Sequence, residues 1–258
     1  MNEKKFDGLG KIYSKYRPAY PQAFIEYLQT TVGISNKTVV ADIGSGTGKL
    51  TKQLLDIGKK IFAVEPNADM REVAELNLNG FKNYVSVNAT AENTTLDDNS
   101  VDFITVAQAF HWFERAKFKQ ECKRILKPNG KVILVWNTRD FTDESVIESD
   151  GINRKYCPDF SGFSGGAHGA LYNVTSAESE KEFKNFFDRE YESMEFKNDQ
   201  VYSLEGFIGR TLSASYALKE NDENYPAYIN ELTACFKKHA VDGKMIMPNI
   251  TTSYTGSV

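Results

Sequence analysis

Val39-Val-Ala-Asp-Ile-Gly-Ser-Gly-Thr-Gly-Lys49 is an apolar run that closes on an acid and then on three glycines at alternate positions. The run Thr38–Ile43 has the character of a buried strand, and Lys49–Ile57 behind it that of a helix. Glycines between the two permit positive φ and let a ligand approach the main chain, while the helix start offers unpaired amides. A polar or anionic ligand group binds well at such a turn.

The glycine spacing separates cofactor classes. A dinucleotide fingerprint places a glycine three residues after Gly46, where Lys49 stands; here the third glycine is Gly48. Asp42 would repel a pyrophosphate at this place and attract an ammonium group. Glu65 follows the first glycine by roughly twenty residues, a distance at which an acid can accept hydrogen bonds from both hydroxyls of a ribose. Asp42 and Glu65 together bracket an adenosine that carries an amino-acid tail.

Around this turn, β-branched runs alternate with amphipathic stretches. The strands are Thr38–Ile43, Lys60–Glu65, Asn83–Val87, Val101–Ala107 and Lys131–Trp136, and the helices between them are Lys49–Ile57, Ala68–Leu78 and Arg115–Leu126. This is the pattern of βαβ units and a parallel sheet. Lys127-Pro-Asn-Gly130 breaks the third helix and should feed the fifth strand. A leading helix is expected over Pro21–Thr31, with proline at its start. After Trp136 the glycine-rich Ser161–Gly169 marks a long connection, a candidate lid. Beyond it Ala177–Phe187 and Pro226–Ala240 have helical character, and Asp188–Tyr202 and Lys244–Tyr254 contain strand-like stretches.

With 258 residues, 41% hydrophobic and 26% charged, the composition is that of a soluble globular chain. A formal net charge of −4 gives no overall basic field for nucleic acid or an anionic membrane. Cys122, Cys157 and Cys235 show no CxxC spacing, which suits a reducing compartment and suggests no metal site. The first residues lack a signal-peptide run and no apolar stretch is long enough to span a bilayer, so a cytoplasmic location is expected.

At this point Val39–Leu50 resembles the first motif of the class I S-adenosylmethionine-dependent methyltransferases, and Ala63-Val-Glu-Pro-Asn67 resembles their second. Ala89-Thr-Ala-Glu-Asn93 is similar to the segment that surrounds adenine, and Val101–Phe113 to the fourth strand with its active-site loop. The resemblance spans roughly residues 10 to 140. It implies that Asp42, Gly44 and Gly46 hold the methionine part of the cofactor and that Glu65 takes the ribose, with Gly48 and Pro66 also cofactor-binding. Asn67 and Met70 would lie against the adenine, with Thr90, Ala91 and Glu92 at its edge and Ala107 and Gln108 as further cofactor-binding residues. Many members carry an aspartate where Thr90 stands, and a hydroxyl there makes only a weaker bond.

Tyr13-Ser-Lys-Tyr-Arg-Pro-Ala-Tyr-Pro21 and Gln108-Ala-Phe-His-Trp-Phe113 narrow the resemblance to small-molecule methyltransferases such as trans-aconitate and related carboxyl O-methyltransferases. It implies that Tyr13 and Arg17 fold over the cofactor; the bland alternative is surface packing of an N-terminal helix. His111 and Trp112 are candidates to line the acceptor site. His111 can serve as the base for a hydroxyl or amine acceptor, because an imidazole titrates near neutrality, whereas a carboxylate acceptor needs no base. It can equally be a packed residue that orients the loop. Arg17, Arg139 and Arg210 are candidates to clamp an acceptor carboxylate.

The expectation is a doubly wound, Rossmann-like α/β fold with a seven-stranded, mainly parallel sheet and a small cap inserted before the last strand. Residues 1–140 would form the cofactor core with its lid helix, 141–240 the cap, and 241–258 a final strand returning antiparallel to the sheet edge. The implied reaction moves a methyl from S-adenosylmethionine to a small-molecule acceptor, a carboxylate among the classes, and leaves S-adenosylhomocysteine; the protein would be a monomer or homodimer. Two other readings stand beside it: an NAD(P)-dependent oxidoreductase, which shares the strand–glycine–helix–acid pattern, and a non-catalytic S-adenosylmethionine-binding protein.

Overall fold

A computed structural model describes residues 15–16, 18–160, 177–188, 190–214 and 216–258. Tyr13, Arg17, His168 and the glycine-rich connection at Ser161–Gly169 lie outside these residues.

Five strands come from the first half of the chain: β1 (Val39–Ile43), β2 (Lys60–Val64), β3 (Tyr84–Val87), β4 (Val101–Ala107) and β5 (Leu126–Arg139). All pair in parallel, in the order β3-β2-β1-β4-β5. Helix α1 (Gln22–Tyr27) leads into β1; α2 (Lys49–Leu55), α3 (Ala68–Leu78) and α4 (Arg115–Ile125) are the crossovers. Each strand points successive side chains to opposite faces. Ala41 and Ile43 face a core shared with Phe118, Cys122 and Ile125 of α4. Val40 faces a second core with Phe24 of α1, Leu50 and Leu54 of α2, and Ala74 and Leu78 of α3. Helices on both faces of a parallel sheet make the doubly wound arrangement.

The sheet has seven strands, completed by β6 (Glu192–Lys197) and β9 (Asn249–Gly256). The last strand is antiparallel as expected, but it is not at the edge: β9 lies between β5 and β6 and pairs antiparallel with both. The exposed β6 takes the edge instead, and the buried side chains of β9 explain the difference. Helix α6 (Ala177–Phe186) adds Phe183 and Phe186 to the core on the α4 face, so residues 177–197 belong with the sheet.

A separate lobe forms from α5 (Glu144–Tyr156), α7 (Leu204–Leu212), α8 (Tyr225–His239) and the pair β7 (Gln200–Tyr202) and β8 (Met245–Met247), around Phe207, Tyr228, Leu232 and Phe236. The N-terminal segment touches this lobe. The Tyr16 hydroxyl donates to Glu205 at 2.9 Å, and a Cβ added at Gly209 would lie 2.5 Å from the Tyr16 ring, so only glycine leaves room for that ring.

Three local details depart from expectation. Strand β5 starts at Leu126, before the breaker cluster, and Lys127–Gly130 forms a bulge within it with Asn129 at φ +66°. The leading helix runs from Gln22 and ends in a π turn, Leu28–Val32, closed by Gly33 at φ +96°. Helices α5 and α7 were not expected at all. Among the described residues no helix is long and apolar enough to cross a membrane.

Candidate cofactor and acceptor site

The carboxyl ends of β1, β2 and β4 converge where open α/β sheets place their ligands. Asp42 is the penultimate residue of β1, 1% exposed, and accepts hydrogen bonds from Thr51 Oγ1 at 2.6 Å and Thr105 Oγ1 at 2.8 Å. Burial pushes its carboxyl up to about 6, against the lowering effect of the two threonines. No spacing rule in a single sequence points to Thr51 or Thr105 as partners of this acid.

The glycine turn crosses from β1 to β2: the amides of Gly44 and Ser45 both donate to Val64 O, at 2.9 and 3.1 Å. Gly44, Gly46 and Gly48 all have positive φ. Two of them are enclosed, since a Cβ at Gly44 would lie 2.6 Å from Ala109 Cβ and one at Gly48 2.6 Å from Leu78 Cδ1. A Cβ built at Gly46 would meet nothing within 4 Å among the described residues. Beside it Ser45 Oγ and Thr47 Oγ1 are buried with no partner among the described residues.

Glu65 directly follows β2 and ties two elements together. Its Oε2 accepts from the Gly46 amide at 2.8 Å and its Oε1 from the Asn67 amide at 2.9 Å. Burial raises its carboxyl above the usual range, and the two amides oppose that. The Arg71 guanidinium donates to the carbonyls of Glu65 and Pro66 and to Asn88 Oδ1, fixing the strand end. Asn67 caps α3, its Oδ1 accepting from the buried Met70 amide at 2.9 Å.

Thr90 is half-buried and its carbonyl accepts from Asn93 in a tight turn; Ala91 is buried; Glu92 Oε1 accepts from the Glu114 amide at 2.8 Å, just ahead of α4. Ala107 ends β4 in register with Val135. Gln108 has φ +58°, and its side-chain amide donates to Asn137 O on β5 at 3.2 Å. A non-glycine residue in that region stores strain of order 1 kcal/mol and marks sites where geometry is imposed. His111 and Trp112 follow in a single 3₁₀ turn, their ring centroids 4.5 Å apart. The Phe113 ring reaches within 3.1 Å of a Cβ built at Gly44, so this loop lies against the glycine turn.

Past Gln108, a polar cluster joins β5 to the later strands: Asn137 Oδ1 accepts from Thr251 and from Asn198, and Asn198 also reaches Ala19 O. Sequence reading gave no sign of it, because its members are more than fifty residues apart. Arg139 ends β5 opposite Asn249, and Arg210 lies on α7.

Residues 41–134 match the family model of a methyltransferase domain. An uncharacterized methyltransferase of Mycobacterium bovis is 42% identical over 128 residues, 50% of this chain and 50% of that protein. A Saccharomyces cerevisiae protein described as a probable S-adenosylmethionine-dependent methyltransferase is 30% identical over 122 residues, 46% of this chain and 42% of its own. The chain thus spans about half the length of the curated relatives it matches. Among solved structures, a protein of Anaeromyxobacter dehalogenans described as a candidate type II methyltransferase superposes with a TM-score of 0.62 at 19% identity, covering 94% of this chain and 98% of that one. Over the strands and turns that build the site, the chain therefore matches a methyltransferase domain, set in the α/β fold of the class I S-adenosylmethionine-dependent methyltransferases.

Proposed function

We propose that the protein transfers a methyl group from S-adenosylmethionine to a small-molecule acceptor, with a carboxylate of the kind taken by trans-aconitate methyltransferases as the acceptor class. The observation that carries this reading is the junction of the Gly46 turn with Glu65 and Asp42 at one edge of the sheet. The residues present fit that cofactor. Among the described residues nothing fills the space over Gly46 where an amino-acid tail passes and two buried hydroxyls beside it have no partner, while Asp42 offers a buried negative charge for an ammonium group. Each oxygen of Glu65 holds one amide and keeps a second lone-pair position for a ribose hydroxyl. Ala91, Met70 and the Asn67-capped helix start supply the adenine wall, with Tyr13 and Arg17 as its cover.

When bound, the cofactor supplies an electrophilic methyl on a sulfonium. The task of the chain is alignment and exclusion of water. His111 and Trp112 form the acceptor wall on the loop that packs on Gly44. An ionised carboxylate attacks without a base, and His111 then orients it; for a hydroxyl or amine the same imidazole accepts the proton. The lobe of α5, α7 and α8 is the acceptor-selecting cap in this reading.

Calorimetry tests the cofactor. Micromolar binding of S-adenosylhomocysteine and none of NADH is the expected result; binding of NADH alone would replace this reading by a nicotinamide oxidoreductase. A panel of small carboxylic acids, phenols and amines, scored for methyl transfer, then identifies the acceptor. Cofactor binding without transfer to any of them favours the non-catalytic alternative.

A further inference from the structure

The lobe brings together three side chains of metal-ligating chemistry. Cys235 and His239 are four residues apart on α8, so they share one helix face. Glu148 on α5 meets them across the packed helix pair, and one ligand atom from each of the three lies within 4.8 Å of the others. The Glu148 Oε2–His239 Nε2 distance is 2.8 Å.

We infer that Glu148, Cys235 and His239 form a binding site for a transition-metal dication of the zinc type. A thiolate, an imidazole and a carboxylate are the donor set such an ion takes, with three protein ligands and one open position. Tetrahedral coordination with metal–ligand bonds of about 2.0–2.3 Å places ligand atoms about 3.5 Å apart; the Glu148–His239 pair, at 2.8 Å, has to open slightly, and no ligand atom of the three lies more than 4.8 Å from another. Cys235 and the facing Glu148 differ in exposure in a useful way: the sulfur is fully buried, while the carboxylate is half-buried beside an open cleft of about 410 Å³ lined also by Gly151, Ile152, Lys155, Glu231 and Ala234. Of the three ligands the cleft reaches Glu148, which gives an ion its first contact with the site.

Two events balance the binding step. The metal–sulfur bond forms as the Cys235 thiol proton passes to water. Lys238, which donates to Glu148 Oε2 at 2.7 Å, is displaced to solvent, where most of its side chain already lies. Sequence spacing does not reveal this set, since Glu148 and His239 are 91 positions apart.

Cobalt(II) titration of the full chain tests the site, because cobalt bound to a thiolate gives a near-ultraviolet charge-transfer band and tetrahedral cobalt gives intense visible bands. One equivalent should develop both, and zinc should bleach them. Cys235→Ala should abolish the charge-transfer band, while Cys122→Ala and Cys157→Ala keep it. His239→Ala and Glu148→Gln should weaken cobalt binding by more than the roughly 10–100-fold typical of losing a supporting group. Lys238→Ala should tighten binding, because it frees the Glu148 oxygen; a purely structural ion pair predicts no such gain. An absent thiolate band, a band that survives Cys235→Ala, or weaker binding in Lys238→Ala overturns the proposal. Should Cys235→Ala fail to fold, unchanged cobalt affinity in His239→Ala does the same.

Discussion

The Gly46 amide donates to Glu65 Oε2 at 2.8 Å, so the turn after β1 and the acid following β2 are bound to each other across 19 positions of sequence. The carboxylate that is proposed to read the cofactor therefore also holds the loop that receives it.

Glu65→Ala should weaken S-adenosylhomocysteine binding and lower stability at once. Hydrogen bonds to a charged acceptor contribute about 1.5–3 kcal/mol each, which corresponds to roughly tenfold to a hundredfold in affinity. Calorimetry gives the first effect and denaturant unfolding the second. Unchanged cofactor affinity in this variant would refute the ribose assignment.

Asp42 makes the ligand-free protein less stable as pH rises. Its folded carboxyl titrates near 6, above the unfolded value of 3.8, so the unfolded chain binds fewer protons between the two. The contribution is fully present below the unfolded value and is lost as pH rises through about 6. Asp42→Asn should thus stabilise the ligand-free protein at neutral pH by up to about 3 kcal/mol and flatten the difference in melting temperature with pH. Cofactor binding should move the other way: in the wild type it weakens as pH falls below about 6, and in the variant it is weak throughout. Glu65 adds a slope of the same sign, so the comparison between the two proteins is the one that isolates Asp42.

The glycines of the turn should separate fold from function. Gly46→Ala meets nothing within 4 Å among the described residues and suffers only the positive-φ strain, roughly 1–2 kcal/mol, yet its methyl enters the cofactor's path. Gly44→Ala suffers the same strain and also a methyl 2.6 Å from Ala109 Cβ, adding about 1–3 kcal/mol of overpacking. Thermal unfolding of the pair, with S-adenosylhomocysteine calorimetry on Gly46→Ala, checks both: that variant should fold well and bind poorly.

His111→Ala should lower turnover while cofactor affinity stays close to wild type. A loss of about 10²–10⁴ in kcat marks a base, and a smaller loss confined to acceptor KM marks a positioning residue. With a carboxylate acceptor the second outcome is expected. A fall in cofactor affinity with unchanged turnover would remove His111 from the acceptor site.

Much of the core was legible because local pattern and tertiary role agree there. Strand β4 and helix α3 run over the residues the pattern predicts, Val101–Ala107 and Ala68–Leu78, since each has apolar residues at its own period and sharp polar ends. Helix α5 escaped notice because it buries Ser145, Ser149 and Asn153, small and polar residues whose hydrogen bonds substitute for an apolar stripe. Helix α7 was hidden by Gly206 and Gly209, and the second is explained only by the Tyr16 ring that lies on it. The site divides in the same way. The acids and glycines of one strand–turn–helix unit could be read in order, whereas Thr105, Asn137 and Thr251 join it only through strand pairing.

The place of β9 between β5 and β6 governs how a nascent chain can assemble. Val132 pairs with Gly256, and Glu192 pairs with Thr255, so β6 has no sheet neighbour until residues 249–256 have left the ribosome. The five parallel strands can form during synthesis, while the antiparallel end waits for late, sequence-distant closure, the slow kind of contact. Until then the flank of β5 that β9 will cover stays unpaired, the kind of strand edge open to pairing with another chain.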